Sequence, residues 1–199
     1  MDRLTSTGAL VTALLIPVSA AAAASHSQHA HVHGIATLQV AIDGERLAID
    51  FSSPLDNLVG FERAPRTERE KAAASQALQR LRKPEDLLVP SPEARCVRTA
   101  VKIDAPVLDA QAASDVSASK AGAAPLKDKG KRTDKSDTSE HAGLSAEIVF
   151  RCAQPQNLKS LSVALFDAFP ALRRVDTEVA GAGRQVAAKL TPRNRTVSW

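Results

Sequence analysis

The chain of 199 residues has no tyrosine, one tryptophan and five phenylalanines, so aromatic residues make up only 3%. A surface that stacks the bases of single-stranded nucleic acid needs more aromatic faces than this, and no nucleic-acid partner is expected. The net charge of +4, from 26 basic and 22 acidic residues, is too evenly balanced to mark a phosphate-binding groove. Cysteine is scarce as well, with only Cys96 and Cys152 present. No glycine-rich phosphate loop, GxSxG elbow, HExxH or EF-hand pattern occurs, and Gly181-Ala182-Gly183 reads as a turn. Carboxylates are numerous, yet no pair is placed in a way that argues for acid–base work. A non-enzymatic protein is the expectation.

What the sequence does have begins with an apolar run from Ala9 to Ala24 that ends in consecutive alanines. It is short for a transmembrane span, and its small-residue end suits signal cleavage near Ala22 to Ala24. Residues 1–24 therefore read as a secretory signal peptide, with an uncleaved anchor helix as the alternative. No second long apolar run follows, so no membrane span is expected in the mature chain. Export predicts an oxidising compartment, where Cys96 and Cys152 are assigned to one disulfide. Thiolate metal ligation is the competing reading, although the two match no CxxC spacing.

Past this segment the hydrophobic pattern predicts an α+β domain, mainly antiparallel β with about seven short strands and one helix near residues 67–82. From Val32 the residues alternate, and Asp43-Gly44 supplies a two-residue turn. Pairing Ile42 with Glu45 would set Val40 opposite Leu47, Leu38 opposite Ile49 and Ala36 opposite Phe51. Thr67 to Glu70 forms a capping box, followed by the stripe Ala74, Ala77, Leu78 and Leu81, and Pro84 ends the helix. Pro90-Ser91-Pro92 reads as a connector. Strands are expected around Val97 to Ile103, Leu144 to Phe150 and Leu161 to Leu165, with a bend over Phe166 to Pro170. A second hairpin would turn at Ala182-Gly183 and pair Val179 with Val186, Thr177 with Ala188 and Val175 with Leu190. Residues 105–143, rich in Ala, Ser, Lys and Asp, cannot bury enough apolar surface to offset their ordering entropy. They read as a disordered loop interrupting a single domain over 32–199, preceded by a His-containing segment at 25–31.

Four of the five histidines cluster there: His26, His29, His31 and His33. Neutral imidazole is a ready metal ligand, and in extended chain two residues span about 6.6 Å on one side. His31 and His33 can thus share one ion as an HxH pair, while His29 and His26 join only if the chain curls. The expected hairpin register sets His33 opposite Pro54, near Asp56, an acid able to ligate or to orient the imidazole. Imidazole and carboxylate suit zinc. A solvated, incidentally His-rich tail is the alternative. Should cleavage leave Ala24-Ser25-His26 as the terminus, the amine, two amides and His26 form a square-planar set favouring Cu(II) or Ni(II). His141 stands alone and is read as incidental.

Several segments together resemble a known family. His31-Val32-His33-Gly34, Ser53-Pro54, Asn57 to Glu62, Phe150-Arg151-Cys152, Leu165 to Pro170 and Leu190-Thr191-Pro192 are similar to those of the ZrgA-like zinc-regulated periplasmic proteins. The resemblance covers most of the chain from His29 onwards. It implies a periplasmic zinc-binding protein that acts beside a zinc-uptake ABC transporter, with His29, His31 and His33 among the ligands. Two departures stand out. Relatives commonly carry a His/Asp-rich loop between the cysteines, whereas this loop holds Lys, Asp and only His141. The segment ending in Glu62 is usually followed by His, and here Arg63 follows. Guanidinium cannot ligate, so reduced zinc capacity is expected. An envelope interaction module with little metal binding is the second functional expectation.

Overall fold

The computed structural model describes residues 32–108, 142–181 and 183–199. The expected signal segment, the His-containing segment 25–31 and most of the expected loop 105–143 lie outside these residues. The fold is mainly antiparallel β with few helices, as the hydrophobic alternation predicts. Nine strands occur among the described residues. Six form one sheet: β1 (Ile35–Asp43), β2 (Arg46–Pro54), β4 (Cys96–Asp104), β5 (Gly143–Cys152), β7 (Arg174–Gly181) and β8 (Arg184–Leu190), in the order β4-β5-β2-β1-β7-β8. Every neighbouring pair in it is antiparallel except β1 with β7, which is parallel. A smaller antiparallel sheet has the order β3-β6-β9, from β3 (Leu88–Pro90), β6 (Ser160–Val163) and β9 (Thr196–Ser198).

Alternation explains which way the larger sheet faces. Leu38, Val40, Leu47, Ile49, Phe51, Ile148 and Val179 are buried, while Gln39, Ala41, Asp50, Glu147 and Glu178 on the opposite parity are exposed. The inward face joins the small sheet and helix α2 (Glu68–Leu81) in a single apolar cluster. Phe166 and Phe169, from or next to the short helix α3 (Leu165–Ala168), complete it. The predicted helix is present with its capping box: Thr67 accepts from the Glu70 amide, and the Glu70 side chain accepts from the Thr67 amide. Ala74, Ala77 and Leu81 face the core and Leu78 is half-buried.

The second hairpin has the predicted pairing throughout, Val179 with Val186, Thr177 with Ala188 and Val175 with Leu190. The first differs by two residues. Val40 lies opposite Ile49, Leu38 opposite Phe51 and Ile42 opposite Leu47. The cause is the turn: Asp43 pairs with Arg46, so Gly44-Glu45 form the two-residue loop. Gly44, with φ of 53°, takes the first central position, where a type II′ turn requires glycine. A shift of two keeps each side chain on its own face, so the core is unchanged. Three further expectations are corrected. The strand starts at Ile35 instead of Val32, which is 52% exposed. Leu165 opens α3 instead of extending a strand, and the connector at Pro90 is the end of β3. Cys96 and Cys152 face each other across β4 and β5 and form the disulfide, 56 positions apart in sequence.

Candidate functional site

The segment Val32 to Ile35 folds as a tight turn. The Ile35 amide donates to the Val32 carbonyl at 3.0 Å, and Gly34 at the third position has φ of +82°, the signature of a type II turn. Glycine is required twice over here. A side chain at Gly34 would be strained at that φ and would sit 3.2 Å from the Cγ and Cδ atoms of Arg173. His33 occupies the turn's second position, before the strand begins at Ile35, while its HxH partner His31 lies outside the described residues.

A short helix, α1 (Asp56–Val59), fixes this turn from the other side. Asn57 is 2% exposed and both polar groups of its side chain are used. Its Oδ1 accepts from the Gly34 amide at 2.6 Å, and its Nδ2 donates to the Ile35 carbonyl at 2.9 Å and to Ser53 Oγ at 3.2 Å. The Gly34 carbonyl accepts from the amides of Arg173 and Arg174 at 2.8 and 3.0 Å. Backbone position around His33 is therefore dictated from three sides. Replacing Asn57 with alanine leaves buried donors and acceptors unmatched and should destabilise the fold by about 1–3 kcal/mol in urea unfolding. Unchanged stability would show that Asn57 does not hold the turn.

The neighbouring residue of α1 holds the His33 side chain. His33 Nδ1 lies 2.8 Å from Asp56 Oδ2. Continuing the observed register of β1 and β2 beyond their ends sets Asp56, in place of the expected Pro54, across from His33. The imidazole is 71% exposed and the carboxylate 33%. The hydrogen bond to Asp56 raises the His33 pKa above its ordinary value, with smaller contributions from the charges of Asp56 and Glu62.

Of the four expected ligands, only His33 falls among the described residues; His26, His29 and His31 lie outside them. Among the described residues no group of three or more His, Cys, Asp or Glu side chains could hold a metal ion. His33 with Asp56 is half a site: one imidazole, one carboxylate and a solvent-facing edge. Asn57 was visible in the sequence only as the first residue of the segment Asn57 to Glu62, since no period or spacing marks a buried amide. Arg63, read from the sequence as a residue that cannot ligate, has a structural task. It pairs with Glu70 through two contacts of 3.0 and 2.7 Å and lies 5.6 Å from the Phe61 ring centre. The Arg63 hydrogen bond, with help from the Arg66 and Thr67 amides, lowers the Glu70 pKa from 4.5 to about 2. That stabilisation is complete above the ordinary carboxylate value and is lost as pH falls toward 2.

These features define a disulfide-bonded, β-rich domain that presents one carboxylate-held imidazole at a rigid surface turn. A comparison with curated proteins finds no match. Residues 30–199 match the ZrgA family zinc uptake protein model, and the chain belongs to that family. Its role is accordingly a zinc-related one.

Proposed function

We propose that this protein is exported to the periplasm, binds zinc there without catalysing a reaction, and supports zinc acquisition beside a zinc-uptake ABC transporter. The observation that carries this is the turn at His33-Gly34. A buried asparagine holds the turn and a carboxylate orients its one exposed imidazole, the arrangement in which a histidine serves as a zinc ligand. His33 would supply one ligand, and His31, His29 and His26 the remainder from the adjoining segment. Zinc here is cargo, and the half-site left open on the folded domain fits a metal that must be released again. The N-terminal apolar run and the disulfide support export.

Deleting the gene should slow growth under zinc chelation, and added zinc should restore it. Equal growth of the deletion and parent strains across chelator concentrations would contradict a role in acquisition. The composition between the two cysteines, with His141 its one histidine, favours a second reading, an envelope interaction module with little metal binding. That reading predicts partner capture that is indifferent to chelator. Cu(II) or Ni(II) binding at a terminus Ala24-Ser25-His26 is distinguished by sequencing the mature N-terminus; a chain starting at Ser25 lacks it.

A further inference from the structure

The contact between His33 and Asp56 determines which ring nitrogen can meet a metal. A neutral imidazole carries a single N–H, and the bond made by one nitrogen sets the role of the other. His33 Nδ1 faces Asp56 Oδ2 at 2.8 Å, and an ionised carboxylate only accepts. Nδ1 must then carry the hydrogen, which leaves the ring's one lone pair on Nε2. The two partners cannot easily drift apart. Asp56 and Asn57 are adjacent in α1, and Asn57 binds the backbone just after His33, at the Gly34 amide and the Ile35 carbonyl. The carboxylate is also more covered than the ring, 33% against 71% exposed, so the open side belongs to the imidazole.

Building on the zinc reading above, we propose that Asp56 is a positioning residue. It selects the Nδ1–H tautomer of His33, dedicates Nε2 to the metal, and stays outside the metal's own ligand set. A carboxylate behind the imidazole also makes the ligating nitrogen more basic. The choice left open by the sequence, between Asp56 as ligand and Asp56 as orienting acid, thus falls on the second.

Ring-nitrogen NMR of the metal-free full chain tests this at an alkaline pH where the imidazole is neutral, with a His33→Gln variant to assign the signal. Wild type should hold its proton on Nδ1. Asp56→Ala should release that preference and weaken zinc binding by about 10- to 100-fold. Asp56→Asn keeps an acceptor oxygen and should restore the tautomer with part of the affinity. A wild-type proton on Nε2, or zinc perturbing Nδ1 instead of Nε2, overturns the proposal, and both need only the native chain. Equal loss of affinity in Asp56→Ala and Asp56→Asn, with the tautomer unmoved, makes Asp56 a ligand and overturns it too. If His33→Gln binds zinc as tightly as wild type while the tautomer pattern is as expected, the zinc reading is what fails.

Discussion

The double variant His31→Ala with His33→Ala should lose tight zinc binding while keeping the fold. The two residues stand at HxH spacing, and His33 is held by its hydrogen bond to Asp56. Removing both leaves His26 and His29, whose spacing lets them share an ion only if the chain curls. Curling the chain to bring these two onto one ion costs backbone entropy that the HxH pair does not have to meet. Stability should barely change, by less than about 0.5 kcal/mol, since His33 is an exposed side chain. Calorimetric titration with zinc, alongside urea unfolding, reads both quantities. Zinc affinity equal to wild type in the folded double variant would remove these histidines from the site.

Reduction of the disulfide should have the largest effect on stability. Cys96 and Cys152 close a loop of 56 positions, and the chain-entropy account makes such a link worth about 4 kcal/mol. For a domain of this size that corresponds to a melting temperature lower by roughly 8–16 °C. The loss is expected to fall first on β4, an edge strand whose only neighbour in the sheet is β5. Zinc binding should survive below the new melting point. The Cys152 amide bonds to the Glu45 carbonyl in the first hairpin's turn, whereas His33 precedes the other end of β1. Thermal unfolding with and without a reducing agent checks this, as does a Cys96→Ala, Cys152→Ala variant. A melting temperature that ignores reduction would contradict the stabilising role.

Much of the fold was legible because large apolar residues recur with strand or helix periods. The β7–β8 pairing could be read outright, since Ala182-Gly183 leaves one obvious turn. The β1–β2 register could not. Asp43-Gly44 and Gly44-Glu45 both make two-residue turns, both keep the core parity, and only the backbone conformation of Gly44 separates them. The three-residue strands β3 and β9 are too short to show any period. At the site, the histidine cluster was conspicuous and Asp56 was within the expected neighbourhood. The two-residue shift in register explains why Asp56 itself meets the ring. Gly34 carried no sequence signal beyond its motif, because a type II turn in front of a strand looks like a continuation of the strand. Arg63 was read as a lost ligand, and its partner Glu70 was assigned only to the helix cap. The structure shows one carboxylate serving both.

The most direct test of the central claim is a competitive zinc titration of the metal-free full chain, prepared without an affinity tag of histidines. About one tightly held zinc per chain is expected, with affinity that weakens as ligand nitrogens are protonated at lower pH. A chain that holds zinc no better than an unstructured histidine-containing peptide, or that retains only Cu(II) or Ni(II), would contradict it.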